Sequence, residues 1–359
     1  MTKAAYIGVD GKARKIKKGY VGVNGRARKI KKAYVGVGGV ARPCWGGGEL
    51  SYYGTIASLT ESRSGLAATT VGDYALFGGG YGSGRSSVVD AYNSALTRST
   101  PTGLSQARSG LAATTVGDYA LFGGGSSSGH VVDAYSTSLT RSTPAALSQV
   151  RSGLVATTVG DYALFGGGYG SGYSSVVDAY NSALARSTPT GLYKARSDLA
   201  ATTVGDYALF GGGYSSGFSS YVDAYNSALT RSTPTGLSQA RASLAATTVG
   251  DYALFGGGSS SVVDAYNSAL ARSTPTGLSQ ARADLAATTV GGYALFGGGS
   301  DSGRSSVVDA YNSALTRSTP TGLSQARASP AATSVGDYAL FGGGYGSDYS
   351  SVVDAYTLV

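Results

Sequence analysis

The amino-acid sequence predicts an all-β protein, a seven-bladed β-propeller with four-stranded blades, preceded by an arm of β-hairpins. Two repeats in the 359-residue chain lead to this prediction. The string GDYALFGGG, once written GGYALFGGG, recurs at intervals of 45, 43, 45, 45, 41 and 45 residues. A period of this length matches one propeller blade. A shorter repeat of about 14 residues fills the first 45 residues and indicates a separate element. The long repeat begins at Gly72, Gly117, Gly160, Gly205, Gly250, Gly291 and Gly336.

The arm, residues 1–45, is the basic part of the chain. It has 12 Lys or Arg residues and one acidic residue, whereas residues 46–359 have 16 basic and 19 acidic residues. The dipeptides DG, NG and GG lie between β-prone runs and predict three hairpins. So few apolar residues cannot bury a core, and we expect the hairpins to dock on copies of themselves or on a partner. Candidate attachment residues are Tyr6, Arg14, Tyr20, Arg28, Tyr34 and Trp45.

The short repeats resemble segments of phage and prophage structural proteins, including tail proteins. This resemblance implies an attachment module that binds other proteins of a particle. The positive charge leaves nucleic acid or an anionic membrane surface open as partners. A further interpretation is a solvated basic edge that prevents sheet aggregation. We expect docking rather than nucleic-acid binding, with a Gly-rich linker at residues 46–49 leading to the propeller domain, residues 50–359.

The second long repeat shows the elements of one blade. Residues 110–116 (GLAATTV) predict the first strand, whose small side chains suit the crowded inner ring. Residues 118–125 (DYALFGGG) alternate with the period of two of a second strand, and a tight turn joins these two strands. Residues 131–135 (VVDAY) predict the third strand. Residues 142–148 (STPAALS) predict the fourth, whose proline suits an edge position.

The glycine run after the second strand, followed about 12 residues later by the tyrosine of the third, resembles the kelch motif. The resemblance recurs in seven copies over residues 50–359 and implies a kelch-like propeller. Kelch repeats usually carry a tryptophan on the fourth strand. This chain has the sequence LTRSTPTGL in that region, and Trp45 lies outside the propeller.

The ends of the propeller domain predict how the ring closes. The last copy ends with its third strand, VVDAYTLV at residues 352–359, and lacks a fourth. Before the first copy, Leu59 and Arg63 match Leu104 and Arg108, which end a fourth strand and lead into the next blade. The N-terminal strand of the domain is therefore predicted to complete the last blade, which removes two open sheet edges.

Variation among the copies is confined to two segments. The loop between the second and third strands has 8, 6, 8, 8, 4, 8 and 8 residues, and steps of two residues preserve the register of both strands. The connection from the fourth strand to the next blade changes among SG, SD, AS and AD. In an up-and-down blade these segments lie at one end of the ring, and the nearly constant VGD and YNSAL turns lie at the other. The sequence thus predicts one variable face and one constant face.

The variable loops are rich in Tyr, Ser and Gly, which is the composition of antibody-type binding surfaces. We interpret this face as a recognition surface, the alternative being that Gly and Ser simply form permissive loops. The candidate ligand-binding residues are Tyr81, Arg85, His130, Tyr169, Tyr173, Tyr214, Phe218, Tyr221, Asp301, Arg304, Tyr345, Asp348 and Tyr349.

The sequence favours a binding protein over an enzyme. One His (His130) and one Cys (Cys44) cannot build the copper site of kelch-like oxidases within one chain, and we expect no metal or other cofactor. A Ser–His–Asp arrangement could use only His130, and a carboxylate pair for glycoside cleavage could come from Asp301 and Asp348. One Arg and one Asp recur in every blade, which indicates structural pairing rather than catalysis. These residues are Arg63, Arg108, Arg151, Arg196, Arg241, Arg282 and Arg327, with Asp90, Asp133, Asp178, Asp223, Asp264, Asp309 and Asp354.

These features predict a non-enzymatic recognition protein of a phage or phage-tail-like particle. The variable face would bind a host-surface glycan or protein, and the arm would join the protein to the particle, where we expect a homo-oligomer. The alternative is a structural decoration or adaptor protein whose propeller binds other particle proteins. The N-terminus lacks the apolar segment of a signal peptide, and no run approaches the roughly 18 apolar residues of a membrane span. The expected location is therefore the virion or particle, released by host lysis.

Overall fold

The computed structural model describes residues 48–126 and 130–359, together with the backbone of six strands among residues 6–45. All regular elements in these residues are β-strands, which confirms the predicted fold class. The described part of the chain has no helix long and apolar enough to cross a membrane. The six N-terminal strands form three antiparallel pairs, β1–β2, β3–β4 and β5–β6. They are β1 (Tyr6–Val9), β2 (Lys12–Lys15), β3 (Tyr20–Val23), β4 (Arg26–Lys29), β5 (Ala33–Val37) and β6 (Val40–Trp45).

Seven four-stranded sheets follow, and we number them as blades in chain order. Blade 1 is β8 (Ala67–Val71), β9 (Tyr74–Gly78), β10 (Val89–Asn93) and β11 (Arg98–Ser99). Blade 2 is β12 (Ala112–Val116), β13 (Tyr119–Gly123), β14 (Val132–Ser136) and β15 (Arg141–Ser142). Blade 3 is β16 (Val155–Val159), β17 (Tyr162–Gly166), β18 (Val177–Asn181) and β19 (Arg186–Ser187). Blade 4 is β20 (Ala200–Val204), β21 (Tyr207–Gly211), β22 (Val222–Asn226) and β23 (Arg231–Ser232). Blade 5 is β24 (Leu244–Val249), β25 (Tyr252–Gly257), β26 (Val263–Asn267) and β27 (Arg272–Ser273). Blade 6 is β28 (Ala286–Val290), β29 (Tyr293–Gly297), β30 (Val308–Asn312) and β31 (Arg317–Ser318). Blade 7 is β32 (Ala331–Val335), β33 (Tyr338–Gly342), β34 (Val353–Leu358) and β7 (Leu50–Ile56).

Each blade is an antiparallel meander whose first strand is innermost. The sheet order in blade 1 is β8-β9-β10-β11, and blades 2 to 6 repeat this order. The innermost strands contact their neighbours all the way round, and β32 of blade 7 contacts β8 of blade 1. The ring is closed, which confirms the predicted seven-bladed propeller.

The N-terminal strand β7 closes the ring, as the sequence predicts. It pairs with β34 as the fourth strand of blade 7, with Leu50 opposite Leu358 and Ile56 opposite Val353. Leu59, which follows β7, is 3% exposed and packs in the core shared by blades 7 and 1. Because both ends of the propeller lie in one sheet, the ring can open there only by breaking a strand pairing.

The hydrophobic core lies between the blades. In the described residues it consists of seven clusters, each of which combines buried side chains of two neighbouring blades. Between blades 1 and 2 the ring of Phe122 packs on Gly78, where an added Cβ atom would lie 2.7 Å from a ring carbon. Phe122 also makes an edge-on contact with Tyr135, the centroids being 5.9 Å apart. The first glycine of each GGG run therefore makes room for the next blade.

The alternation predicted for the second strand does not correspond to an alternation of burial. In β13, Ala120, Leu121 and Phe122 are all 0% exposed. Successive side chains do point to opposite faces of a sheet. Both faces of a blade are covered by neighbouring blades, however, so residues on either face are buried.

The fourth strand lies earlier than residues 142–148, where we predicted it. In blade 2 it is the two-residue strand β15, which ends at Ser142. The proline of the segment, Pro144, has no N–H to donate to a strand ladder. The chain instead leaves the sheet, and Leu147 donates its N–H to the carbonyl oxygen of His130 at 2.6 Å and is buried between blades 2 and 3.

A chain of threonine hydroxyls joins the innermost strands. Thr69 Oγ1 lies 3.0 Å from Thr115 Oγ1, and Thr115 Oγ1 donates to the carbonyl oxygen of Thr70 at 2.5 Å. At the junction of blades 7 and 1, Thr70 Oγ1 lies 2.9 Å from Thr333 Oγ1. The small side chains expected on the inner strands therefore hold adjacent blades by hydrogen bonds across the narrowest part of the ring.

Candidate binding face

The two ends of the ring are built from different segments. At one end the loop between the second and third strands pairs with the connection that enters the blade. Ser64 and Tyr81 exchange two backbone hydrogen bonds, of 2.9 Å and 2.8 Å, and Ser152 and Tyr169 do the same. We call this end the variable face; its described loop residues are 81–88, 126, 130–131, 169–176, 214–221, 259–262, 300–307 and 345–352. The opposite end, with the VGD and YNSAL turns, is the constant face.

Each eight-residue loop forms a small hairpin in which the first and fifth residues pair. The paired residues are Tyr81 with Arg85, Tyr169 with Tyr173, Tyr214 with Phe218, Ser300 with Arg304, and Tyr345 with Tyr349. Cross-strand neighbours have adjacent side chains. Most of the predicted ligand-binding residues belong to such pairs, and the backbone pairing within each loop keeps the two side chains adjacent.

The paired aromatic residues gather in two clusters. The first, on blades 3 and 4, contains Tyr169, Tyr173, Tyr214 and Phe218. Successive ring centroids in this order lie 5.1, 6.0 and 5.5 Å apart. Phe218 is 66% exposed and Tyr169 is 49% exposed. The cluster is therefore an aromatic surface open to solvent.

The second cluster, on blades 7 and 1, contains Tyr345, Tyr349 and Tyr81. Their ring centroids lie 5.1 Å and 5.9 Å apart in that order. The guanidinium carbon of Arg304, from blade 6, lies 5.1 Å from the centroid of Tyr345. Arg85 turns the other way and donates from Nε to Ser126 Oγ of blade 2 at 3.0 Å. This cluster thus combines aromatic rings with a cation.

The other predicted residues are scattered over the variable face. His130 is exposed on the loop of blade 2, next to residues 127–129, which lie outside the described part of the chain. Asp348 lines a cleft with Glu61 and Arg85. Asp301 is exposed on the loop of blade 6 and does not line that cleft. The cleft that contains Asp348 therefore does not supply the carboxylate pair considered for glycoside cleavage.

Sequence reasoning missed two residues of this face, Tyr193 and Lys194. The ring of Tyr193 lies 5.2 Å from that of the predicted residue Tyr221. Lys194 Nζ and the guanidinium of Arg231 each lie 5.7 Å from the Tyr193 centroid. Comparison of the copies could have found both residues. Residues 193–194 read YK, whereas five other copies read SQ at these positions and the first reads TE. Similarly, Tyr221 stands where the other copies have Val.

A ring of backbone groups surrounds the axis at the variable face. Its seven members have φ angles of 50–65°, and six successive N–H groups donate to the carbonyl of the preceding member at 2.7–3.1 Å. The members are Gly65, Gly110, Gly153, Asp198, Ser243, Asp284 and Ser329. Two of them are acidic. The surrounding protein raises the pKa of Asp284 by removing part of its hydration, and the negative charge of Asp198 adds to this shift.

The recurring arginine and aspartate are paired inside each blade, as the sequence indicates. Arg63 Nη2 donates to Asp90 Oδ2 at 2.6 Å, and both side chains are 0% exposed. Asp90 Oδ1 also accepts from the N–H of Thr60 at 3.0 Å. Burial lowers the pKa of Arg63, and Asp90 opposes this effect. We call this arrangement the Arg–Asp clasp. It holds the connection that enters a blade against the third strand of that blade.

The predicted attachment residues cannot be placed in a site. Tyr6, Arg14, Tyr20, Arg28, Tyr34 and Trp45 lie in strands β1 to β6, and their side chains lie outside the described residues.

Comparison with known proteins identifies the fold. No protein-family model matches the chain, and no curated protein matches it. Among solved structures it is similar to one described as "Structure of YjhT", with a TM-score of 0.55 and 13% sequence identity over 84% of this chain and 96% of that chain. At this identity the likeness shows the fold alone. The chain is a seven-bladed β-propeller with four-stranded blades, and its function has to be inferred from its own surface.

Proposed function

We propose that this protein is a non-enzymatic recognition protein of a phage or phage-tail-like particle. Its variable face binds a host-surface ligand, a glycan or a protein, and residues 1–45 attach it to other particle proteins. The observation that carries this proposal is the gathering of exposed aromatic side chains on one end of a ring whose other end is constant.

The exposed aromatic residues favour binding. Phe218, Tyr169, Tyr81 and Tyr221 are 66%, 49%, 44% and 43% exposed. Contiguous exposed apolar surface usually marks an interaction site, and Tyr is among the residues that contribute most to binding energy. These side chains lie outside the inter-blade cores, so their exposure has no role in folding.

The variable loops are separate from the buried residues that stabilise the ring, and this also favours a binding function. The Arg–Asp clasps use the same residue types in every blade, and the inter-blade clusters use nearly the same ones. The loops can change in sequence without disturbing them. Loops that vary on a constant scaffold are typical of proteins that recognise ligands.

The arm and the repeat type complete the proposal. Residues 1–45 dock on particle proteins as a basic hairpin module, and the blades are of the kelch-like type. Several copies assemble on one particle, which is released when the host lyses. The docking of the arm and the kelch-like type of the blades rest on the sequence resemblances described above.

An adsorption assay tests the proposal. Tyr81→Ala, Tyr169→Ala and Phe218→Ala should each weaken ligand binding by about 1–3 kcal/mol and leave the melting temperature unchanged. Particles carrying these variants should adsorb poorly to host cells. The matched control is Asp118→Ser, an exposed change in a constant-face turn, which should adsorb normally.

Two results would contradict the proposal. If the loop variants adsorb normally but enter particles poorly, the variable face binds particle proteins and the protein is an adaptor. If only the constant-face variant fails to adsorb, the ligand binds the opposite end of the ring.

A further inference from the structure

Two clefts on the variable face are each lined by a tyrosine pair, a carboxylate and several serines. The first, of about 530 Å³, is lined by Tyr169, Tyr173 and Asp198 together with four serines and two glycines. The second, of about 280 Å³, is lined by Tyr345, Tyr349, Asp284 and Arg304 together with three serines and an alanine. Small-molecule sites commonly measure about 300–1,000 Å³. The first cleft lies within this range and the second, at about 280 Å³, lies just below it, so each has room for a single small unit of a ligand.

The tyrosine pairs of the two clefts occupy the same loop positions and have the same ring geometry. Tyr169 with Tyr173 and Tyr345 with Tyr349 occupy the first and fifth positions of the loops of blades 3 and 7. In both pairs the ring centroids are 5.1 Å apart, and the interplanar angles are 68° and 63°. The other described loops of this length carry Tyr–Arg, Tyr–Phe or Ser–Arg at these positions.

A carboxylate accompanies each tyrosine pair. Asp198 and Asp284 are members of the backbone ring around the axis, both with φ of 54°. The other five members of this ring are Gly or Ser. The two acidic members therefore line the same clefts as the two tyrosine pairs. Asp198 lies in the connection that enters blade 4, the blade after the first tyrosine pair, and Asp284 lies in the connection that enters blade 6, the blade before the second pair. Each cleft therefore combines a tyrosine pair with a carboxylate from an adjacent blade.

The combination of groups fits sugar chemistry. A tyrosine ring offers an apolar face for the C–H face of a pyranose and a hydroxyl for hydrogen bonding. Carboxylate oxygens accept charge-assisted hydrogen bonds, and sugar hydroxyls can donate them. A carboxylated or sulfated sugar would meet like charge at Asp198 in the first cleft, which disfavours it. In the second cleft the positive charge of Arg304 balances that of Asp284, so the lining has no net charge. The clefts therefore favour neutral saccharide units.

We infer that the variable face carries two saccharide subsites, one at the tyrosine pair of blade 3 and one at the tyrosine pair of blade 7, each for a neutral hexose or N-acetylhexosamine unit. This inference rests on the proposed recognition function and narrows its ligand to a polysaccharide. Blades 3 and 7 are as far apart as two blades of a seven-membered ring can be. One polysaccharide, or two neighbouring chains on a cell surface, would therefore be held at both sides of the axis.

Calorimetric titration tests the stoichiometry. The full-length protein is titrated with oligosaccharides released from the envelope polysaccharide of cells that the particle adsorbs to, after ion exchange into neutral and acidic fractions. We expect the neutral fraction to bind with two sites per chain. Tyr173→Ala should remove one site, Tyr349→Ala the other, and the double variant both. Tyr53→Ala, a 54% exposed tyrosine on β7 outside both clefts, is the matched control and should keep both sites.

Two further readouts test bivalence and charge. On the immobilised polysaccharide, loss of one subsite should weaken binding by a factor on the order of 100, because avidity is lost. Asp198→Asn keeps the shape of the first cleft and removes its charge. This variant should weaken binding of the neutral fraction and improve binding of the acidic fraction.

Distinct outcomes would overturn the inference. One site per chain, or two sites that survive both tyrosine changes, would contradict the paired subsites. A parent protein that prefers the acidic fraction would contradict the ligand class. Absence of saccharide binding, with adsorption that depends on the loops and is abolished by protease treatment of the cells, would refute the saccharide inference while leaving the recognition function intact. Loop-independent adsorption would refute the recognition function itself.

Discussion

Single buried residues hold the connections of this propeller in place. Arg151 Nη2 donates to Asp178 Oδ2 at 2.5 Å and to the carbonyl oxygen of Phe165 at 3.1 Å. Both charged side chains are 0% exposed. A buried ion pair adds little net stability compared with apolar residues, but removing one partner leaves an uncompensated charge.

We therefore expect Arg151→Met to lower the free energy of unfolding by about 3–5 kcal/mol. Urea denaturation measures the effect. Arg186→Met is the matched control, because Arg186 pairs with the same Asp178 at 3.0 Å but is 29% exposed, and it should cost only about 1 kcal/mol. The double variant Arg151→Met with Asp178→Leu should recover part of the loss. Equal costs for the two arginine changes would contradict the clasp.

The carboxyl of Asp284 should make stability depend on pH. Its pKa is raised above the ordinary value of 3.8 by desolvation and by Asp198, while Ser243 and Arg304 oppose the shift. The folded state then binds the proton more tightly than the unfolded state. The stability associated with this group is full below pH 3.8 and is lost as pH rises through the folded pKa.

Asp284→Asn should therefore raise the melting temperature at neutral pH and leave it near the parent value below pH 3.8. Thermal unfolding of parent and variant across this range checks the sign. A variant that is less stable than the parent at neutral pH would show that the carboxylate contributes stabilising contacts.

Among the elements, β7 has the largest structural role for its length. It supplies the edge of blade 7, and Tyr52 Oη donates to Asp354 Oδ1 at 2.7 Å. This hydrogen bond replaces the outer arginine of other blades, and burial and Asp354 raise the pKa of Tyr52 to about 12. Removing residues 1–56 should cost more than one buried Leu→Ala change, which is about 2–5 kcal/mol. The control deletion ends at residue 47 and should unfold like the parent. Equal melting temperatures for the two deletions would disprove closure by β7.

The variable loops should be exchangeable as elements. In blade 5 the loop has only four residues, yet Phe255 lies opposite Asp264 as Phe77 lies opposite Asp90 in blade 1. Replacing residues 81–88 with SSSV should therefore change stability by less than about 1 kcal/mol. The three-residue loop SSV would reverse the side-chain direction of one strand and should prevent folding of blade 1. Circular dichroism and urea titration compare the SSSV and SSV variants. Equal stability of the two variants would show that loop length does not set the strand register.

The order of elements could be predicted from the repeat, but several positions within them could not. Closure by β7 followed from the missing fourth strand. The two-residue fourth strand did not, because Arg141 and Ser142 are polar and show no strand period. Burial of both Leu121 and Phe122 depends on neighbouring blades, which alternation within one strand does not report. The contact of Tyr193 with Tyr221 joins segments 28 residues apart and becomes visible only when the copies are compared position by position.

For the whole molecule, the proposal separates attachment from recognition. Residues 48–359 contain every strand of the ring, so this fragment should fold alone. If the arm docks the protein, the fragment should bind host cells but be absent from purified particles, as immunoblotting of particles would show. Normal incorporation of the fragment, with salt-sensitive DNA binding by residues 1–45, would assign the arm to nucleic acid instead.

The constancy of the Arg–Asp clasp has a genetic consequence. Each clasp is completed within one blade and the connection that enters it, and every blade accepts the same phenylalanine ring from its neighbour, so one such unit can replace another. Homologous recombination between such similar stretches of gene would carry a loop from one blade to another in frame. Each exchange would create a new combination of seven loops without altering the buried frame. If the variable face recognises the host, as we propose, reassortment of existing loops would change the host range without any new point mutation.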